Sequence, residues 1–287
     1  MMKHTSLALA AAGLVTCLPP AAANDWNTPQ KPFALYGNTY YVGTHGLSAV
    51  LITSNEGHIL IDGGSDKSPA QIVRNIRQLG FKVEDIRLIL SSHEHIDHAG
   101  GIAELQRLSG AEVLAGSAAV PVLRSGQASK GDPQYTNLPP MAPIQHVRGV
   151  ANGHVVKLGP LAVTMHATPG HTQGGASWTW DAVEGGRTAH VVYADSLNAV
   201  AAGPFRYRGH ASYPTARADL ERSIATVAGL PCDVLVSAHP EGSDLWQRYT
   251  RRAARGNAAF IDTTACRTYA DKARARLAAQ LTKEADQ

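Results

Sequence analysis

The segment from His93 to His98 constrains this chain more than any other feature, because it reads His-Glu-His-Ile-Asp-His. An apolar run, Ile86–Leu90, precedes the segment, and Gly100-Gly101 and an amphipathic stretch follow it. This order predicts a turn between a buried strand and a helix. Several imidazoles and a carboxylate at such short range suit Zn²⁺, and their number suits two ions a few ångströms apart. The alternative is a polar surface loop that is merely rich in histidine.

Two histidines further along the chain occupy similar turns. His171 follows the alternating run Leu161–His166, and His239 follows the short apolar run Val234–Ser237. Each histidine is therefore expected just beyond the end of a strand, where α/β sheets collect their functional sites. Either one alone would be interpreted as an ordinary half-buried histidine. Together with the 93–98 segment, they predict a shared metal site.

These elements resemble the metallo-β-lactamase superfamily. The resemblance rests on the H-x-H-x-D-H segment at 93–98, the strand that ends in Asp62-Gly63-Gly64, the P-G-H-T turn at 169–172 and the late His239. It extends from about Gly37 to the C-terminal helix. The resemblance therefore covers nearly the whole chain that follows the N-terminal leader.

Three finer features are similar to one branch, the subclass B3 metallo-β-lactamases. Position 93 is His, which makes three histidines available for a first zinc ion. Ser196 stands where other β-lactamase branches carry a zinc-binding Cys. Cys232 and Cys266 bracket His239.

The resemblance also decides between two architectures. Strands and helices alternate in two rounds along the chain, which leaves two packed sheets and one mixed open sheet as alternatives. The family implies an α/β fold, the four-layer αβ/βα sandwich, in which two β-sheets pack face to face with helices outside. The metals are then expected along one edge.

For the metal site, the resemblance implies two Zn²⁺ ions per chain. The expected ligands are His93, His95 and His171 for the first ion, and Asp97, His98 and His239 for the second. Asp97 is also the expected catalytic residue, because it can orient the zinc-bound hydroxide that attacks the substrate.

Three neighbouring carboxylates need separate interpretations. Asp62 is expected to be a structural anchor near the first zinc, and Glu94 to be solvated or to support a ligand from behind. Asp195 lies where glyoxalase-like and lactonase members supply a carboxylate that bridges both metals. In the Asp-Ser-Leu form found here, which resembles the B3 enzymes, it is not expected to be a ligand.

The implied function is hydrolysis of the β-lactam amide bond in small-molecule antibiotics, which gives resistance. Ser196 and Asn198 are expected to bind the substrate carboxylate, directly or through water. The alternative is another exported dinuclear zinc hydrolase, such as an acyl-homoserine lactonase. A zinc-binding protein without catalysis is disfavoured, because two open metal sites suit turnover.

The N-terminus reads as a signal peptide over residues 1–23, with the mature metallo-β-lactamase domain from 24 to 287. Export to the periplasm follows, and no later segment is long and apolar enough for stable membrane insertion. A lipoprotein anchored at Cys17 is the alternative. Cleavage leaves Cys232 and Cys266 in an oxidising compartment, which favours a disulfide over two separate thiols.

Composition bears mainly on partners. The formal net charge is +3, from 26 basic and 23 acidic residues that are mixed throughout. Because the chain has no basic stripe interleaved with aromatic residues, nucleic acid is not expected as a partner. The protein is expected to be a monomer.

One long stretch, Ser125–Pro143, has no apolar period. It either shapes the substrate cleft or is a surface insertion.

Overall fold

The computed structural model describes residues 26–286, and over this range the strands form two sheets. The first sheet has seven strands in the order β1 to β7, and the second has five in the order β12-β11-β10-β9-β8. The strands of the first sheet are β1 (Phe33–Tyr36), β2 (Thr39–Tyr41), β3 (Val50–Ile52), β4 (His58–Ile61), β5 (Ile86–Leu90), β6 (Glu112–Gly116) and β7 (Val147–Val150). Those of the second are β8 (Val155–Leu158), β9 (Leu161–Ala167), β10 (Ala176–Glu184), β11 (Arg187–Ala194) and β12 (Val234–Ser237).

The helices connect these strands and cover the sheets. They are α1 (Pro69–Gln78), α2 (Ile96–Ala99), α3 (Ile102–Ser109), α4 (Val120–Ser125), α5 (Ala216–Gly229), α6 (Leu245–Thr250), α7 (Arg252–Arg255) and α8 (Ala265–Ala285). Helix α1 shows how the sequence sets such an element. It begins at Pro69, whose fixed φ suits a first helical turn, and Ile72 and Ile76 lie one turn apart on its buried face. The chain then leaves the helix through Gly80, which has φ +88°.

Three apolar layers confirm the four-layer sandwich. Between the two sheets lie buried side chains such as Trp178, Tyr193 and Phe33. A second cluster, which includes Ile72 and Leu105, packs helices α1 and α3 on the outer face of the first sheet. The third cluster packs α5 and α8 on the outer face of the second sheet. Each sheet is therefore buried on both faces, which excludes the single open sheet.

The strand directions bring the functional turns to one edge. Strands β4 and β5 pair in parallel, and so do β11 and β12. Strand β9 is antiparallel to β10, which is antiparallel to β11, so β9 runs in the same direction as β11. The turns that follow these strands therefore meet at the same edge of the second sheet, as they do in the first.

Side chains lock the two sheets together at this edge. The Tyr193 hydroxyl, from β11, donates to Oδ2 of Asp62 at 2.7 Å, just beyond β4. The indole of Trp178, from β10, donates to the backbone oxygen of Ser91 at 3.2 Å, just beyond β5. Both residues that receive these bonds are buried. These two hydrogen bonds between the sheets thus fix the positions of the turns relative to each other.

The predicted disulfide is present between Cys232 and Cys266, 34 residues apart. It joins the segment before β12 to the first turn of α8. Within residues 26–286, no helix has the length and apolarity that a membrane crossing requires. The proposed signal peptide lies outside the described residues.

Opening the disulfide should lower stability without releasing metal. For a loop of this length, the chain-entropy model predicts a loss of about 3–4 kcal/mol in the free energy of unfolding. We expect reduction, or the double C232A/C266A replacement, to lower the unfolding temperature, while zinc content measured by mass spectrometry stays the same. Free thiols that react with an alkylating agent in the native protein, purified without reductant, would contradict this expectation.

Candidate metal centre

The turn after β5 presents four candidate ligands because its backbone changes from extended to helical. His95 has extended dihedral angles (φ −78°, ψ 149°), and α2 begins immediately after it, at Ile96. Asp97 and His98 therefore lie on the first turn of a helix, whereas His93 and His95 precede it on the approach to the turn. This change of direction separates the four residues into two neighbouring positions, as the sequence predicted.

The first position is a cluster of three imidazoles, from His93, His95 and His171. One ring nitrogen from each lies within 4.8 Å of the others, and all three side chains are buried. His171 arrives from the turn after β9. The structure thus brings together the three residues that were expected to bind the first ion.

Carboxylates hold the remote nitrogens of two of these rings. Nδ1 of His93 donates to Oδ1 of Asp195 at 2.8 Å, and Nε2 of His95 donates to Oδ2 of Asp132 at 2.9 Å. Such bonds fix both the tautomer and the orientation of an imidazole that ligates a metal. Nε2 of His93 is then buried without a hydrogen-bond partner within residues 26–286. A buried lone pair of this kind is accounted for by a metal ion.

His171 is oriented by the backbone. Its Nδ1 donates to the backbone oxygen of Asn198 at 2.8 Å, which leaves Nε2 for the cluster. Burial lowers the pKa of His171 to about 3, and it holds the pKa of His93 well below its usual value. Both imidazoles are therefore neutral at physiological pH, which is the form that binds a metal ion.

The second position combines Asp97, His98 and His239. Oδ2 of Asp97 lies 3.1 Å from Nε2 of His98 and 3.3 Å from Nε2 of His239. The two Nε2 atoms lie 3.1 Å apart. Bonds of about 2.0–2.1 Å to a tetrahedral Zn²⁺ separate its ligands by about 3.3 Å, so the three atoms match one face of such a tetrahedron. Nδ1 of His239 faces the backbone oxygen of Gly46 at 3.3 Å, which leaves Nε2 for the metal.

Asp97 is in its ionised form. Burial by itself would raise the pKa of this carboxyl group. The adjacent His98 and the contacts with His239 outweigh that effect and hold the pKa well below its usual value. The imidazole nitrogens at both positions, together with the ionised carboxylate at the second, suit one borderline-soft dication at each position.

Asp62 is an anchor, as expected, but it lies beside the second position and not the first. Its carboxylate accepts bonds from the backbone and hydroxyl of Ser92, at 2.7 and 2.6 Å, and lies 3.8 Å from Nδ1 of His98. Its φ of +61° is unusual for a residue other than glycine. This backbone conformation accompanies a side chain that is directed across the sheet edge, onto the turn after β5.

Glu94 is buried, so the solvated role considered for it is wrong. Oε2 accepts a bond from the Thr172 hydroxyl at 2.8 Å, and Oε1 accepts one from the backbone of Gly174 at 3.1 Å. These partners flank His171 in its turn. Glu94 therefore ties the turn after β5 to the turn after β9 and sets the distance between the imidazoles that they carry.

Both candidate positions open onto one cleft of about 630 Å³. Ser196 and Asn198 line it, as expected for residues that contact a substrate. Apolar groups line it as well, among them Trp26 and Val200, which are partly exposed. The cleft thus offers polar contacts near the histidines and apolar walls beyond them.

The Ser125–Pro143 stretch packs over this edge and is not a detached surface insertion. Gln134, Asn137 and Leu138 line the cleft, and Asp132 holds His95. The backbone oxygen of Pro133 also accepts a bond from Ala202, in the segment after β11. The sequence did not reveal Asp132 as part of this site, since no motif or spacing connects it to the histidines.

Comparisons with known proteins agree with this geometry. A family model described as "Metallo-beta-lactamase superfamily" matches residues 42–239. MEM-A1, a subclass B3 metallo-beta-lactamase isolated from a soil metagenome library, is 66% identical, with a TM-score of 0.91 over 91% of this chain and 99% of that one. SMB-1, a metallo-beta-lactamase crystallised with 2-mercaptoethanesulfonate, is 50% identical, with a TM-score of 0.88 over 91% and 99%. MIM-1 from Novosphingobium pentaromativorans is 40% identical, with a TM-score of 0.84 over 91% and 93%.

Curated relatives match a shorter part of the chain. A hydroxyacylglutathione hydrolase of Bradyrhizobium sp. (strain ORS 278) is 32% identical over 132 residues, or 46% of this chain. The chain spans only 41% of that relative's length. The likeness to the solved structures is thus both higher in identity and far more complete.

Proposed function

Because this chain belongs to the metallo-β-lactamase superfamily, we propose that it hydrolyses the amide bond of β-lactam antibiotics with two bound zinc ions. One observation carries the proposal: two adjacent groups of three metal donors open onto a single cleft. The similarity to subclass B3 enzymes over nine tenths of the chain supplies the substrate class. Penicillins, cephalosporins and carbapenems are the expected substrates, and resistance to them is the expected consequence.

The donors form two separate metal positions. His93, His95 and His171 would hold the first ion, and Asp97, His98 and His239 would hold the second. Zinc ions held there would supply Lewis-acid chemistry: a water with a lowered pKa, polarisation of the lactam carbonyl and stabilisation of charge on the departing nitrogen. One oxygen of Asp97 lies against His98 and His239. Its other oxygen accepts a hydrogen bond from the attacking water and aims it at the carbonyl carbon.

The substrate's carboxylate is seated by the segment after β11. Ser196 and Asn198 line the cleft two residues apart, and the backbone of Asn198 is fixed by its bond to His171. The Ser196 hydroxyl and the Asn198 amide are hydrogen-bond donors that can contact the carboxylate directly or through water. The segment that contacts the substrate also holds His171. The placement of the substrate is therefore coupled to the geometry of the metal centre.

Asp195 separates this function from a lactonase-like or thioester-hydrolysing alternative, which the partial match to hydroxyacylglutathione hydrolases favours. Oδ1 of Asp195 is bound to the remote nitrogen of His93 and to the backbone of Ser196, at 2.8 and 2.7 Å. The contact with the far side of the imidazole places Asp195 to orient that ring, which argues against a role as a bridge between two metals. This contact supports the β-lactamase function.

We expect the D195N protein to keep both zinc ions. Its amide oxygen can still accept the bond from His93, so the loss of charge should lower activity by about 10- to 100-fold. Zinc counted by mass spectrometry on the folded protein tests the role, and D181N, which alters an exposed Asp–His pair, is the control. Loss of one zinc ion by D195N but not by D181N would favour the bridging, lactonase-like class.

A substrate panel tests the function directly. The purified zinc-loaded protein is assayed spectrophotometrically with imipenem, ampicillin, an N-acyl-homoserine lactone and S-lactoylglutathione. We expect turnover of the two β-lactams and little of the others. Hydrolysis of the lactone or the thioester, with both β-lactams left intact, would overturn the proposal.

The cellular setting is part of the same proposal. Residues 1–23 have the basic start, apolar centre and Ala-rich end of a signal peptide, and a disulfide suits an oxidising compartment. We therefore place the mature chain, from residue 24, in the periplasm as a monomer. There it meets antibiotics before they reach their targets.

A further inference from the structure

One cation on the cleft wall has no role in the mechanism described so far. Arg276 lies on α8 and lines the same cleft as Ser196 and the metal donors. Among the cleft-lining residues in the described range, it is the only lysine or arginine. Its position therefore gives the cleft a single permanent positive charge.

The guanidinium of Arg276 lacks a partner within residues 26–286. It forms no ion pair, and its Nε is buried without a hydrogen bond. Glu241 lines the same cleft but is not paired with it. By contrast, Arg274 on the same helix pairs with Asp271, as an ordinary surface arginine does. A buried donor without a partner is costly unless a ligand supplies the acceptor.

Tyr269 connects Arg276 to the substrate-binding segment. The two residues are seven positions apart on α8, and therefore on the same face. The Tyr269 hydroxyl donates to the backbone oxygen of Asp195 at 2.8 Å and accepts a bond from the backbone of Leu197 at 3.3 Å. It thus brackets Ser196 between two fixed contacts. Arg276 and Ser196 consequently lie on adjoining parts of one wall.

We propose that Arg276 is a specificity-determining residue, whose guanidinium binds the carboxylate of the substrate beside Ser196. The inference rests on the proposed hydrolase function for the identity of the substrate, but the anion site itself is defined by the unpaired guanidinium. Arginine is suited to this task because its planar fork can donate two parallel bonds to one carboxylate. The charge also attracts anionic substrates into the cleft.

Binding of a matched acid and ester tests the site without turnover. The probe is 3-mercaptopropanoyl-L-proline, which has a thiol for the metals and a carboxylate on a five-membered ring, and its methyl ester is the neutral counterpart. Calorimetry on the zinc-loaded protein compares wild type, R276Q and the control R274Q. We expect R276Q to weaken binding of the acid by about 5- to 30-fold and to change binding of the ester by less than about twofold. R274Q should match wild type with both.

Kinetics with benzylpenicillin and its methyl ester extend the test to substrate. R276Q should raise KM for the acid by a similar factor, lower kcat little, and leave the ester unaffected. R276K, which keeps the charge but loses the fork, should recover part of the difference. A structural role would instead affect acid and ester equally. R276M, whose apolar stem can pack as that of arginine does, replaces R276Q if the latter fails to fold.

The outcomes separate the two proposals. If wild type hydrolyses neither penicillin, the β-lactamase function fails, while the calorimetric difference still decides whether Arg276 binds the carboxylate. If the R276Q and R276M proteins bind the acid as tightly as wild type does, the anion site is overturned, whatever the activity.

Discussion

Exhaustive chelation of the protein is expected to abolish β-lactam hydrolysis, and added Zn²⁺ is expected to restore it. We expect a loss of more than about a thousandfold, because the residues around the cleft supply orientation and hydrogen bonds but no nucleophile of their own. Ser196 is not expected to replace the metal, since we propose that it contacts the substrate carboxylate. Initial rates with imipenem before chelation, after it and after addition of zinc give the measurement.

Three controls make this result specific. Circular dichroism should show that the chelated protein keeps its fold. The three apolar clusters that hold the layers together contain none of the proposed metal donors. Mg²⁺ should not restore activity, since five of the six proposed ligands are imidazoles and Mg²⁺ prefers oxygen. A serine-directed inhibitor such as clavulanate should have no effect. Activity that survives complete chelation would refute the metal-dependent mechanism.

The sequence predicted where the candidate ligands lie because their positions depend on local order. Closely spaced donors that follow an apolar run of five residues, Ile86–Leu90, specify a strand and a turn, and β5 has the same bounds as the run. His171 and His239 follow strands in the same manner. Long-range pairing was not required for these predictions, because each histidine lies within a few residues of the strand that positions it.

Other features depend on contacts that local order does not encode. Asp132 is 37 residues from His95 and lies in a stretch without apolar periodicity, so only the folded loop brings the two together. The sequence left open whether Glu94 is solvated, and its carboxylate instead meets the turn after β9, where it accepts the bond from Thr172. Strands β6 and β7 were also not predicted from the sequence. They complete the first sheet through parallel pairing, whose partners are far apart in the chain.

The contacts that the sequence did not predict matter because they involve buried carboxylates behind the candidate ligands. Asp132 and Asp195 are 3% and 0% exposed, and burying a carboxylate is costly unless it is hydrogen-bonded or paired with positive charge. Each is paired with the remote nitrogen of an imidazole. The two zinc ions that we propose would further offset the negative charge. The geometry of the centre is thus determined as much by these carboxylates as by the ligands visible in the motif.

Replacing Asp97 by Asn should lower activity more than replacing Asp132 or Asp195, the carboxylates that hydrogen-bond the candidate ligands. The substitution keeps the shape of the side chain but removes the negative charge that faces His98 and His239. An amide oxygen is a weaker ligand for zinc and a weaker acceptor for the attacking water. We expect kcat to fall by about 10²- to 10⁴-fold and the second ion to be lost on dialysis, while the first is retained. Stopped assays with imipenem and zinc counted by mass spectrometry measure the two effects.

The first ion should be retained in D97N because its three imidazoles are each held independently, by Asp195, Asp132 and the backbone of Asn198. Excess zinc separates the two roles of Asp97. If Asp97 were only a ligand, saturating zinc would refill the second position and restore activity. If it also orients the water, the refilled protein stays slow. D181N should behave as wild type, since its Asp–His pair lies on the surface, and a D97N protein with two tightly bound ions and normal kcat would exclude both roles.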